Sequence, residues 1–314
     1  MTVIGKQPYP RDMIGYGETP PDPKWPGGAR LALNFVLNYE EGGENCVLHG
    51  DDRSETYLSE IVGVGAVNGG RNLTIESLYE YGSRVGVWRL MRLFRKRGLP
   101  FTCYGVGMAL QRNPQVAQAM VADGHEIASH GWRWIDYQNV DIETERADMR
   151  RAINGIESLT GRRPVGWYCG RISPNTTRLV AEDGGFLYHS DSYADDLPYW
   201  EVVDGKPQLV LPYTLDANDM KFGGYQGFNS GDQFFAYLRD SFDCLIEESE
   251  DAPRMMSVGL HCRIAGRPGR AAALARFLDY VMERKDVWIC RREDIARHWL
   301  QIHPFKQASV TEGA

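Results

Sequence analysis

The stretch LALNFVLNYEEGG, residues 31–43, is an apolar run that ends in two acids and two glycines. A short apolar run bounded by polar residues predicts a strand buried inside a sheet. Adjacent acids are usually solvated turn residues. Glu40 and Glu41, however, follow the strand directly, where side chains face the cleft at the edge of a sheet. The stretch therefore predicts a central strand with candidate functional acids at its carboxyl end.

Strand and helix patterns alternate along the rest of the chain. Further strand patterns lie at 101–106, 125–130, 165–169, 186–191, 209–214, 255–261 and 287–290. Helical spacing of apolar residues occurs at 87–97, 113–124, 143–161, 173–184 and 230–248, around 274–281, and up to about residue 302. This alternation predicts an α/β fold with a parallel sheet, either closed into a barrel or open and doubly wound. The Gly- and Asn-rich segment 42–73 lacks periodicity, and a loop of that length is usually functional or packed on a partner.

The composition narrows the class of protein. The chain has 314 residues and a formal net charge of −7, which gives no electrostatic reason to bind nucleic acid or an anionic membrane. No apolar stretch approaches the length of a membrane span, and the N-terminal MTVIGKQPYP lacks the apolar run of a signal peptide. The six cysteines form no CxxC pair and fit reduced thiols. We therefore expect a cytoplasmic protein with no nucleic-acid or membrane partner.

The chain divides into one large domain and two flanking segments. Residues 1–30 are rich in Pro and Gly and predict an extended arm. Residues 31–303 predict a single catalytic domain, and residues 304–314 a flexible polar tail. Because such arms often lie across a neighbouring subunit, the arm favours a homo-oligomer.

Polar and aromatic candidates collect where several predicted strands end. In chain order they are His130, Tyr168, Arg171, Asp191 and His261. In a barrel, and equally in an open α/β sheet, active sites are built at the carboxyl ends of the strands. Each residue alone has a structural interpretation: a hydrogen-bonded core histidine for His130, or an ion pair between Arg171 and Asp191. The convergence of all of them on one edge favours a site.

These residues resemble the motifs of the polysaccharide deacetylase family, from roughly residue 30 to residue 300. In that family the first motif is an Asp pair, whose first acid is the base and whose second binds a metal. NYEEG places Glu40 and Glu41 at these positions, although which of them is the base stays open. The second motif is His, three residues, His, both metal ligands. HGWRW supplies His130, but Trp134 stands at the second position.

The remaining motifs complete the resemblance. The fifth motif is Leu-His, the general acid, and GLH matches it with His261. GWYCGRISPNT places either Tyr168 or Arg171 at the third motif, which in the family orients the base. The resemblance implies a distorted (β/α) barrel of about seven parallel strands.

The departures concern metal binding. A site with one Glu and one His is a poor metal site, because zinc hydrolases usually use three protein ligands. Within the family the pattern is similar to the metal-independent allantoinases, in the segments NYEEGGE, ASHGWRW, GWYCGRISPNT and HCRIAGRPGR. That similarity implies hydrolysis of the small-molecule substrate allantoin to allantoate without a metal or other cofactor, by a homotetramer.

The chemistry of opening a cyclic amide fits these residues. It needs a base for water, a stabiliser for the oxyanion and a proton for the leaving nitrogen. A Glu of the pair supplies the base, and His261 the proton or the oxyanion contact. Trp132 and Trp134, which alone are more often core residues, would wall a flat pocket, with Tyr168, Arg171 and Asp191 as further substrate contacts.

Two alternatives remain at the level of sequence. One is a metal-dependent deacetylase of an N-acetyl sugar or peptidoglycan, with Asp191 as the third ligand. The other is a non-catalytic binding protein on a deacetylase fold. Metal analysis separates the two enzymes, and incubation with allantoin separates both enzymes from the binding protein.

Overall fold

The computed structural model of the protein describes residues 9–306. Residues 1–8 of the predicted arm and residues 307–314 of the predicted tail lie outside the described residues. Among the residues described, no helix is both long enough and apolar enough to cross a membrane.

One mostly parallel sheet organises the structure. Its strands are β1 (Leu31–Tyr39), β2 (Thr102–Gly105), β3 (Glu126–Ser129), β4 (Gly166–Trp167), β5 (Tyr188–His189), β6 (Tyr199–Val203), β7 (Lys206–Val210), β8 (Arg254–His261) and β9 (Val287–Cys290). The sheet order is β6-β7-β5-β4-β3-β2-β1-β8, and β9 pairs with the first half of β1. Within residues 9–306 no pairing joins β8 back to β6 or β7, so the sheet curls into a half-barrel.

The strand count agrees with the expectation of about seven parallel strands. Eight strands have parallel neighbours, and β6 pairs antiparallel with β7 in a hairpin. Its sequence, YWEVV, is only partly buried, so it lacks the continuous apolar run of a central strand. Strands β4 and β5 are only two residues long: they pair with each other at both residues, and each pairs with its other neighbour at one.

Nine α-helices of residues 9–306 cover the sheet. They are α1 (Leu73–Tyr81), α2 (Val87–Arg97), α3 (Gly107–Arg112), α4 (Pro114–Ala122), α5 (Ile142–Thr160), α6 (Thr176–Asp183), α7 (Gly231–Glu248), α8 (Pro268–Met282) and α9 (Arg292–Ile302). A π-helical turn, Gly82–Gly86, joins α1 to α2. Helix α5 shows why these segments are helical: Asp141 caps its first turn through the Thr144 amide, and Gly161 ends it in the left-handed conformation.

Strand β1 is the centre of the core, because all nine of its residues are buried. Phe35 of β1 packs edge-on against Phe94 of α2 and Phe277 of α8. Ile246 of α7 and Leu278 of α8 belong to the same cluster. The apolar stripes predicted for these helices therefore face the sheet, and β1 is held in place up to the two acids that follow it.

Two further features of the fold are the packing of the predicted arm and a buried arginine. Trp25, in the predicted arm, is buried against Trp288 and Trp299, so this part of the arm packs on the domain. Arg292, at the start of α9, is fully buried. Its guanidinium donates five hydrogen bonds, to Asn34 Oδ1, Ser257 Oγ, Ser190 Oγ and the carbonyls of Leu211 and Pro212.

Candidate active site

Glu40 meets two histidines at the carboxyl ends of the strands. Its Oε1 lies 3.3 Å from Nε2 of His130 and 3.4 Å from Nε2 of His261. Glu40 is 1% exposed and His130 2% exposed, so both side chains are shielded from bulk water. The structure thus brings together three of the four residues predicted to be catalytic, around one carboxylate oxygen.

The parallel register explains this convergence. Asn38 of β1 pairs with His261 at the end of β8, and Tyr39 of β1 pairs with Gly105 at the end of β2. The main-chain N–H of His130 in turn donates to the carbonyl of Gly105, at 2.9 Å. Strands that end at the same level place their next residues at one edge.

A buried carboxylate, Asp219, holds His261. Its Oδ1 lies 2.6 Å from Nδ1 of His261, and its Oδ2 accepts the main-chain N–H groups of His261 and Ala265 at 2.7 and 2.8 Å. The preceding Asn218 runs alongside β8 and forms a bridge with Gly259. A Cβ at Gly259 would lie 2.2 Å from Asn218 Nδ2, so only glycine allows this approach.

The acids around His261 favour its imidazolium. Burial lowers the pKa of the ring, but the charges of Glu40 and Asp219 outweigh it and raise the pKa from 6.5 to about 9. The proton on Nδ1 faces Asp219, and the proton on Nε2 faces Glu40. At neutral pH His261 therefore carries a proton that it can donate at the sheet edge.

Arg263 places a guanidinium beside the acid pair. Its Nη1 lies 2.7 Å from Oε2 of Glu40 and 3.6 Å from Oε1 of Glu41, and its Nε donates to the carbonyl of Leu58 at 3.2 Å. Its carbon centre stacks 4.2 Å from the ring of Tyr79 and 5.0 Å from that of Trp134. Burial alone would raise the pKa of Glu40, but Arg263 and then His261 hold that pKa well below its usual value.

Glu41 differs from Glu40 in its contacts. Both of its oxygens accept main-chain N–H groups, Oε1 from Arg263 and Oε2 from Glu40, each at 3.1 Å. Burial raises its pKa to about 7, against the opposing charge of Arg263 and with help from Glu40. These environments separate the pair into one ionised and one partly protonated acid.

His130 is oriented from the opposite side of the site. Its Nδ1 lies 3.1 Å from the carbonyl of Tyr168 and must donate to it, because a carbonyl oxygen only accepts. Its Nε2 faces Oε1 of Glu40. Tyr168 stacks on Tyr104 at 4.6 Å and bonds through its hydroxyl to that of Tyr193, at 2.9 Å.

Trp134 and Arg171 form one aromatic and cationic wall. The guanidinium carbon of Arg171 lies 4.3 Å from the ring of Trp134 and 5.3 Å from that of Tyr57, and its Nη2 donates to the Trp134 carbonyl at 2.6 Å. Because Trp134 also contacts Arg263, this wall lies next to the acid pair. Arg171 and Tyr168 are the two candidates for the third-motif position, and both lie near the site.

The other two predicted substrate contacts lie elsewhere. Trp132 packs beneath helix α5, with the guanidinium of Arg151 stacked 4.1 Å over its ring, so the structure does not bring it to the acid pair. Asp191 accepts the N–H groups of Cys169 and Gly170 at 2.8 and 2.7 Å and makes no ion pair with Arg171. Its Oδ2 is buried without a hydrogen-bond partner, and burial raises its pKa.

The donor set does not fit a divalent metal. Across residues 9–306 no three His, Cys, Asp or Glu side chains are arranged to hold one. Trp134 fills the second histidine position of the family motif, and the Arg263 cation lies against both acids. A second cation there would be repelled by the charge of Arg263. The residues present therefore do not favour a bound metal.

Sequence reasoning missed Asp219 and Arg263. Arg263 stands two residues after His261 in GLHCRIAG and resembles an ordinary loop residue. Asp219 lies in a short 3-10 helix, Asp219–Gly223, with no periodic pattern. Only the return of the chain beside β8 brings that carboxylate to the histidine. The six cysteines are all free, which agrees with reduced thiols.

Comparison with known proteins agrees with this fold. The model of the family "Polysaccharide deacetylase" matches residues 71–188. A Schizosaccharomyces pombe protein named "Putative polysaccharide deacetylase" is 42% identical over 94% of this chain and 98% of its own. The fold and these matches define a hydrolase of the deacetylase type. The chain belongs to the polysaccharide deacetylase family.

Two solved structures are similar over nearly the whole chain. One, titled as a "probable Polysaccharide deacetylase" from Pseudomonas aeruginosa PAO1, has 62% identity and a TM-score of 0.93, and covers 95% of this chain and 100% of that one. The other, Puue allantoinase, has 59% identity and a TM-score of 0.94, and covers 96% of this chain and 100% of that one.

Proposed function

We propose that the protein hydrolyses the hydantoin ring of allantoin to allantoate without a metal. The observation that carries the proposal is the acid–histidine centre in which Glu40 contacts His130 and His261, while Trp134 stands where the family's second ligand would be. The similarity to an allantoinase at 59% identity supports the choice of substrate.

Glu40 is the proposed general base. Its carboxylate is ionised because Arg263 and His261 lower its pKa, and it lies at the strand ends where a substrate carbonyl can approach. Glu41 has both oxygens held by main-chain amides, so it supports Glu40 and the Arg263 main chain instead. The low pKa makes Glu40 a weak base in solution, but its placement decides its role before its pKa does.

His261 is the proposed general acid. Glu40 takes a proton from water, the water oxygen adds to the ring carbonyl carbon, and the carbon–nitrogen bond breaks. The electron pair stays on nitrogen, which takes the proton from Nε2 of His261. The carboxylic acid formed returns a proton to His261, and Glu40 releases its own to solvent, so the step balances. Asp219 keeps the imidazolium oriented through Nδ1.

The walls of the site suit a small planar amide. Trp134 and Tyr168 offer aromatic faces, and Arg171 lies over the outer face of Trp134. A hydantoin ring has flat faces and amide edges, which match an aromatic pocket with few polar groups.

The test is hydrolysis of allantoin by protein that has been treated with a chelator. We expect turnover that neither the chelator nor added zinc or cobalt changes. Names of the relatives favour the alternative of a metal-dependent deacetylase. That alternative requires that the protein releases acetate from an N-acetyl sugar. This activity would be lost on chelation and restored by added metal. Binding of allantoin without turnover would favour a non-catalytic protein.

A further inference from the structure

Arg263 has donors that the folded chain leaves unused. The residue is 3% exposed, and its Nη2 has no hydrogen-bond partner. Nη1 lies 2.7 Å from Glu40 Oε2 and forms an ion pair with it. Buried guanidinium donors are nearly always satisfied, because an unmade bond to a charged group costs about 1–3 kcal/mol or more.

The side chain is held rigidly while those donors stay free. The carbonyl of Leu58 accepts from Nε, and the guanidinium lies over the ring of Tyr79 and beside that of Trp134. Glu41 accepts the Arg263 main-chain N–H, which fixes the backbone as well. A rigid cation with preorganised donors is the arrangement that stabilises developing negative charge without reorganisation.

The position of the cation matches the place where charge develops. Attack by water that Glu40 activates creates an oxyanion within reach of groups that contact Glu40. His261 and His130 each face Oε1 of Glu40 through Nε2, and the proton of His261 is destined for nitrogen. Of the described side chains that contact Glu40, only Arg263 has unpartnered N–H groups.

We propose that Arg263 is a catalytic residue whose Nη donors bind the ring carbonyl oxygen of a cyclic amide and stabilise the oxyanion formed from it. The inference rests on the proposed function, since it names the carbonyl-binding group of that same site. In metal-dependent hydrolases a bound metal ion supplies positive charge at this point of the reaction. Here the guanidinium of Arg263 supplies it.

The test uses the full-length variants Arg263→Lys and Arg263→Ala with allantoin. Lysine keeps the charge beside both acids but loses the planar fork, so we expect kcat to fall about 100- to 1,000-fold. KM should change only a few-fold, because the contact strengthens in the transition state. Added guanidinium should restore part of the activity of Arg263→Ala. Arg151→Met, which removes a guanidinium stacked on Trp132, is the matched control and should keep the parental rate.

The pH profile separates this role from a purely electrostatic one. If Arg263 only kept Glu40 ionised through its charge, Arg263→Lys would keep the parental rate and the deficit of Arg263→Ala would vanish as pH rises; either result would overturn the proposal. A deficit that is constant with pH supports it. If Arg263→Ala does not fold, Arg263→Lys alone carries the decision. Failure of the parent to hydrolyse allantoin overturns the proposed function and this inference together, whereas an active parent with unimpaired variants overturns only the inference.

Discussion

Replacing Asp219 by Asn tests the dyad that holds the proton on His261. The pKa of His261 is raised from 6.5 to about 9, which corresponds to about 3 kcal/mol in favour of the imidazolium. Glu40 and Asp219 share that effect, and the loss of one opposite charge typically lowers a pKa by about 1–3 units. We expect the alkaline limb of kcat/KM to move from about pH 9 to between about pH 7 and 8.

The lowered pKa of His261 in Asp219→Asn predicts a loss of kcat/KM that depends on pH. With the limb lowered by about 1–2 units, the protonated fraction falls about 3- to 25-fold at pH 8.5 but at most about 1.3-fold at pH 6.5. The readout is the position of the limb, because Asp219→Asn, with its amide oxygen toward His261, also loses both main-chain hydrogen bonds and lowers the whole curve. Asp216→Asn is the control: this exposed acid bonds Thr214 and Tyr237 and should leave the limb in place.

Stability should respond to pH with the same sign. Because the pKa of His261 is raised on folding, its protonation stabilises the fold fully below about pH 6.5. That contribution is lost as pH rises through about 9. The difference in unfolding free energy between the parent and Asp219→Asn should therefore be larger at about pH 6.5 than above about pH 9. An alkaline limb that stays at about pH 9 in folded Asp219→Asn would show that another group titrates and refute the reasoning.

Two further predictions concern the acid pair and the buried hydrogen bonds of Arg292. Glu40→Gln should fold and lose about 100- to 10,000-fold in kcat, whereas Glu41→Gln should lose much less; the reverse order in steady-state assays would make Glu41 the base. Arg292→Met should cost about 3 kcal/mol or more in urea unfolding, because it leaves five buried acceptors without their donor. Arg151→Met should cost under about 1 kcal/mol, and equal losses would contradict the importance of the buried network.

The sequence alone determined the parallel α/β fold and the edge at which the site lies. Long buried strands such as β1 and β8 have continuous apolar runs, and the residues that follow them are fixed by chain order. Glu40, His130 and His261 were predicted for that reason, and the register of β1, β2 and β8 joins them. It was harder to predict the hairpin strand β6 and the two-residue strands β4 and β5 from the sequence. Partial burial and short length remove the periodic pattern from these strands.

Only the tertiary structure decided what surrounds those residues. Asp219 reaches His261 because the chain returns beside β8 at Gly259, and Arg263 reaches Glu40 because a loop turns back under Tyr79. Trp132 and Trp134 are two residues apart and equally aromatic, yet one packs under a helix while the other lines the site. Apolar periodicity reports which face of a segment is buried. It does not report which distant charge a buried side chain will meet, because that depends on how the loops cross in space.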